Sequence, residues 1–117
     1  MNNRVRNILE HMLEDAQDAI KFAKDVGCVD EFSSNKLYRK AVIMSILNIG
    51  ELTKKLSSEY KATHKDIPWR KISGMRDIVA HGYHMLDDDI IWDVVTNSIP
   101  DLAQFLQKQL NDTEQLV

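Results

Sequence analysis

"AVIMSILNIG", residues 41–50, decides the fold class. Its apolar side chains (Ala41, Val42, Ile43, Met44, Ile46, Leu47 and Ile49) fall on nearly every side of a helical wheel, so the segment needs protein all around it. A bilayer is the wrong medium, because a span takes about 20 apolar residues and this run breaks off at Gly50. It therefore predicts a helix through the middle of a bundle. Upstream, Ser33, Ser34 or Asn35 can cap that helix with a short side-chain acceptor. Downstream, the pattern turns amphipathic through Leu52 and Leu56.

The flanking chain supplies partners of the same kind. Val5, Ile8, Leu9, Met12, Leu13, Ala16, Ala19, Ile20 and Ala23 recur at steps of three and four, and Gly27 supplies a stop, which predicts one long amphipathic helix. "HKDIPWRKI" reads as a restart, with Asp66 as cap and Pro68 in a first turn, where its missing N–H costs nothing. That third helix carries Trp69, Ile72, Met75 and Val79 inward and weakens or ends at Gly82. Acids at 87–89 suit the start of a fourth helix holding Ile90, Ile91, Trp92, Val94 and Val95. "SIPDLAQFLQKQL" predicts a last one, capped by Ser98, with Leu102, Phe105, Leu106 and Leu110 apolar. Met12, Met44 and Met75 fall on the core stripes. With no strand alternation, repeat or linker, the expected fold class is all-α: an up-and-down bundle of about five helices, one domain over residues 1–117.

Bulk properties narrow the function. The 117 residues bury one core and leave no room for a separate catalytic module, so any site sits on the core helices or between chains. The N-terminal stretch lacks the apolar core of a signal peptide, no membrane span is expected, and the single Cys28 suits a reducing, cytoplasmic setting. The formal charge is −3, but residues 54–84 hold seven basic groups against three acids. That block also contains His64, His81 and His84. It reads either as a solvated face or as a surface for an anionic ligand.

Several constellations are better explained by structure than by chemistry. His81, His84 and Asp87 have ligand-like spacing, but Gly82 interrupts a regular helix and no second ligand pair appears, so no metal is expected. Asp87, Asp88 and Asp89 suit a cap and first-turn charges rather than a magnesium cluster. Asn48 and Glu51 lie near an apolar surface, where either is suited to a buried hydrogen bond, and Glu51 with Lys55 also makes an ordinary helical ion pair. No phosphate-binding glycine loop, nucleophile elbow or paired-cysteine zinc spacing is present, and no cofactor is implied.

Arg76, His81 and Tyr83 remain. One by one they read as a surface arginine, a helix-end histidine and a half-buried tyrosine. Together they suit RNA cleavage in which the 2′-hydroxyl attacks the adjacent phosphorus. An imidazole with a pKa near ~6.5 accepts the hydroxyl proton, and a guanidinium fork steadies the phosphate charge. On an unbroken helix, residues 76 and 81 stand roughly 140° apart. Either the helix yields near Gly82 or a second chain completes the pocket. Tyr83, seven residues from Arg76, returns to its face if helicity persists, where a phenol could orient RNA, stack on a base or accept a nucleotidyl group.

Arg76, His81 and Tyr83 match the R-x4-H-x-Y signature of the HepT-like ribonuclease toxins, a branch of the HEPN superfamily. "NIGE" (48–51), "IPWRKISGMRD" (67–77), "HGY" (81–83) and "IIWDVV" (90–95) also resemble the family pattern in order, so the likeness covers essentially the whole chain. The resemblance implies an all-helical homodimer whose cleft gathers the motif from both subunits and acts as a metal-independent endoribonuclease. It implies further a toxin paired with an MNT-type nucleotidyltransferase antitoxin that transfers AMP to Tyr83. Arg76 would then polarise phosphate and His81 would move the proton. A noncatalytic module that binds a nucleotide or the antitoxin is the rival reading.

Overall fold

The computed structural model describes residues 1–82 and 85–115, without the side chains at 78, 81 and 113–115. Its elements are α1 (Asn3–Val26), α2 (Val29–Ser34), α3 (Lys36–Lys55), α4 (Ser58–Thr63), α5 (Trp69–Gly82), α6 (Asp88–Asp93), a π-helical turn (Val94–Ser98) and α7 (Ile99–Gln115). No strand occurs among the described residues. The all-α bundle expected from periodicity is what forms.

Helix ends follow the short polar residues. Asn2 Oδ1 accepts from the Val5 N–H at 2.8 Å and starts α1, and Gly27, at φ 88°, ends it by donating to the Ala23 carbonyl. Of the three candidate caps before the central helix, Asn35 serves, accepting from the Tyr38 N–H at 3.2 Å. Asp87 caps α6 through the Asp89 N–H at 2.9 Å. Asp66 does not cap α5; Pro68 holds the position before the first helical residue, and its carbonyl accepts from the Ile72 N–H at 3.1 Å.

The last two predicted helices are one continuous rod. Ser98 starts nothing, because Val94 and Ile99 both have right-handed helical torsions. The Ile99 N–H reaches back five residues to the Val94 carbonyl, widening the ladder by one residue just before Pro100. A regular helix would drive the Pro100 ring into the carbonyl four residues earlier, and the wide turn relieves that clash without breaking the rod.

At the centre, α3 lies between α1 and α5, and α1 packs on α7 as well. Leu9, Met12, Ala16 and Ala19 of α1 meet Val42, Ile43, Ile46 and Ile49 of α3 in the buried core, which Leu102, Leu106 and Leu110 of α7 extend. Two expected core residues lie outside. Met44 is 56% exposed and Ile90 is 61% exposed. For Met44 the reason is that α3 packs chiefly through its other faces, where Ile43, Ile46, Ile49, Gly50 and Thr53 are buried.

Helix α5 is fastened at its start and along its length. Trp69 is buried, donates from Nε1 to the His64 carbonyl at 3.0 Å, and meets the Phe105 ring edge-on at 5.8 Å. The Tyr60 and His64 rings complete the cluster, 4.7 Å apart, and burial pushes the Tyr60 phenol up to about 12. Further along, α5 presses on Gly50, where an added Cβ would lie 2.4 Å from the Arg76 Cβ and 3.3 Å from the Ile72 carbonyl oxygen. Gly74, by contrast, has nothing within 4 Å of such a Cβ.

Three outcomes are expected. Gly50→Ala forces α5 away from α3 and costs about 1–3 kcal/mol in urea unfolding, whereas Gly74→Ala stabilises by about 0.4–1 kcal/mol, because it restricts only the unfolded chain. Tyr60 favours the fold while its phenol is neutral; that contribution is whole below pH about 10, the ordinary value, and is lost as pH rises through about 12. Ultraviolet titration of the parent against Tyr60→Phe reads the late-titrating phenol directly.

Candidate active site around Arg76

The contact at Gly50 sets the geometry of the site. Because residue 50 has no side chain, the Arg76 backbone comes down onto α3 beside residue 51. There the Arg76 Nε, shielded from water, forms an ion pair with the Glu51 carboxylate. Glu51 thus pairs across helices with Arg76, not as the expected partner of Lys55 one turn along its own helix.

A second carboxylate sits at the other end of the guanidinium. Arg76 Nη1 donates to Asp77 Oδ1 at 3.3 Å, and Lys54 Nζ reaches the same oxygen at 2.8 Å. The Lys54 ammonium, helped by Arg76, holds the Asp77 carboxyl below the usual carboxylate range. Two cations and two anions therefore alternate over the α3–α5 seam as Glu51, Arg76, Asp77 and Lys54. The quartet is neutral as a whole, yet the Arg76 side chain keeps 34% of its surface exposed. Glu51 takes Nε and Asp77 takes one Nη1 hydrogen, so the guanidinium is gripped from two sides while part of its surface stays open to solvent. A guanidinium steadied in this way binds an anion with little loss of side-chain freedom.

The rest of the expected motif is only partly visible. Position 81 lies within α5, which stays helical to Gly82, so the chain does not bend before the histidine. Positions 76 and 81 of one chain therefore remain about 140° apart around the helix axis. Tyr83 and His84 lie outside the described residues, as does the side chain at 81. Among the described residues no cluster of three metal-ligating side chains occurs.

Sequence reasoning did not assign Glu51 or Lys54 to this site. The one available signal was the pairing of a glycine with an acid in "NIGE", where a close helix approach puts a carboxylate at the crossing. Asn48, from the same stretch and expected to be buried, is instead exposed, beside the Asp15 carboxyl of α1, whose pKa burial raises.

Glu51→Gln removes the charge that holds Nε while keeping the shape. Its stability cost is expected to stay under about 1 kcal/mol, because the pair is half-exposed. The Arg76 Nε–H resonance should exchange with water faster in this variant than in the parent; an unchanged exchange rate would show that Glu51 does not hold the guanidinium in solution.

Comparisons with known proteins give the chain its family. A family model described as Ribonuclease HepT-like matches residues 12–109. A candidate RNase of Methanocaldococcus jannaschii, MJ0127, is 34% identical over 110 residues, covering 94% of this chain and 90% of that protein. A candidate RNase of Caldanaerobacter subterraneus, TTE0752, is 32% identical over 108 residues, 89% of this chain and 96% of its own. A candidate ribonuclease HepT of Thermococcus cleftensis is 34% identical over 100 residues, 82% of this chain and 90% of its own. No solved structure matches. With the family pattern spanning most of the chain and laid over this helical bundle, the protein belongs to the HepT-like ribonuclease family.

Proposed function

We propose that this chain, folded as one domain, is the toxin of a toxin–antitoxin pair: a cytoplasmic, metal-independent endoribonuclease that works as a homodimer. The observation that carries the reading is Arg76, gripped by two carboxylates yet partly open to solvent, in a chain of the HepT-like ribonuclease family. Arg76 binds the scissile phosphate and offsets the charge that builds on its oxygens. His81 takes the proton of the 2′-hydroxyl, O2′ attacks phosphorus, and the 5′-oxygen departs and is reprotonated. The products are a 2′,3′-cyclic phosphate and a 5′-hydroxyl.

Helicity of α5 through Gly82 favours a cleft shared by two chains, with Arg76 from one and His81 from the other. Regulation falls to Tyr83. An MNT-type nucleotidyltransferase antitoxin directs the phenol oxygen onto the α-phosphorus of ATP; pyrophosphate leaves, and the AMP ester carries charge and bulk into the cleft.

Incubation with structured RNA in the presence of a chelator tests the reading. The parent is expected to cleave, and Arg76→Ala and His81→Ala each to lose roughly a hundredfold to ten-thousandfold while staying helical. Equal cleavage by all three overturns the assigned roles, and RNA binding without scission by the parent selects the noncatalytic alternative. Mixing the two inactive variants tests the shared cleft: a dimer with composite sites regains up to about a quarter of parental activity, because each heterodimer has one intact site. An unmodified Tyr83 peptide after incubation with the antitoxin and ATP would remove the regulatory step.

A further inference from the structure

Beside the Arg76 seam, on the surface shared by α1 and α3, lies an open groove of about 700 Å³ lined by Arg4, Asn7, Ile8, His11, Leu52 and Lys55. Arg4, Asn7 and His11 follow one another at helical spacing on one face of α1, and Lys55 ends α3. Arg4 Nη1 donates to the main-chain carbonyl of Lys55 at 3.2 Å, which brings both cations to the same end of the groove. Ile8 and Leu52 give the groove apolar surface.

No carboxylate lines this groove. The acids next to it on the two helices are Glu10, paired with Arg6, and Glu14 on α1, and Glu51, paired with Arg76, on α3. The groove lining therefore offers donors and positive charge with no carboxylate of its own. Lys55 is one helical turn from Glu51, about 6 Å along α3, which puts one lining residue of the groove within a turn of the Arg76 ion pair.

We propose that this groove is a second RNA subsite: Arg4 and Lys55 hold a phosphate neighbouring the one at Arg76, His11 and Asn7 donate to the same nucleotide, and its base lies on Ile8 and Leu52. The proposal rests on the ribonuclease reading for its choice of ligand, although no lining residue of the groove belongs to the proposed catalytic set. A single strand fits better than a duplex, since the apolar surface is useful only to an unpaired base. An acidic protein surface is the competing occupant.

The test uses a fluorescent single-stranded oligoribonucleotide, with binding followed by anisotropy across a range of salt concentrations. Arg4→Gln/Lys55→Gln is expected to weaken binding by about tenfold or more and to flatten the logarithmic salt dependence by about 1.4, since each lost cation removes about 0.7. Lys24→Gln/Lys108→Gln makes the same charge change at exposed positions outside the groove and should leave affinity near parental. Lys55→Glu covers the chance that losing Arg4 disturbs the fold, because it leaves the hydrogen bond from Arg4 to the main chain in place. Binding by both groove variants equal to the Lys24/Lys108 control overturns the subsite. So does intact RNA binding with lost association to the nucleotidyltransferase, which assigns the groove to protein.

Cleavage of a dinucleotide separates this proposal from the one it rests on. With a single phosphate it needs only Arg76, so groove variants should cut it at the parental rate while their KM for the longer strand rises. If the parent cuts neither substrate, the ribonuclease reading fails, and the anisotropy result still decides the groove.

Discussion

The contact of α5 with Gly50 is the constraint on which the site depends. Two helices of ordinary side chains stand about 8–10 Å apart. A glycine facing the Arg76 Cβ removes the spacer, so the arginine backbone reaches α3 and its side chain lies along the seam rather than out in solvent. Glu51, the next residue, is then the carboxylate that meets Nε. Helix packing and electrostatics are joined at one pair of residues, and the aromatic cluster at Trp69 keeps α5 in the same register from its other end.

Charge at the site is balanced. Glu51 and Asp77 offset Arg76 and Lys54, so the exposed arginine does not stand as an isolated cation. An anion approaching this quartet meets two carboxylates as well as two cations, so it is drawn less strongly than by a bare guanidinium. Attraction of an anion over distance therefore falls to cations outside the quartet. For a nuclease, modest affinity and fixed geometry are a useful combination, since only interactions strengthened in the transition state raise the rate.

Much of the bundle was legible because burial and helical period leave the same imprint on sequence. The central "AVIMSILNIG" helix, the α1 stripe, the Asn35 and Asp87 caps and the Gly27 stop all appear where the pattern puts them. What escaped depended on partners. Met44 looks like core within its own helix, and only the choice of packing faces leaves it outside. Ser98 followed by Ile-Pro has every mark of a new helix, and nothing local reveals that a widened turn carries the chain through. At the site, Arg76 was found through its spacing to His81 and Tyr83, whereas the ion pair with Glu51 joins helices 25 residues apart in sequence and has no local signature.

The π-helical turn ties the identity of one residue to the facing of a whole rod. An α-helix advances about 100° per residue, so one extra residue in the ladder rotates everything beyond it by that amount. Leu102, Leu106 and Leu110 point into the core because the rotation has already been made at Val94–Ser98. The phase of the C-terminal hydrophobic stripe is therefore written relative to the distortion and not to the helix before it. Deleting a single residue from the turn would straighten the backbone and at the same time turn that leucine row away from α1. A more regular helix would be the less well packed one.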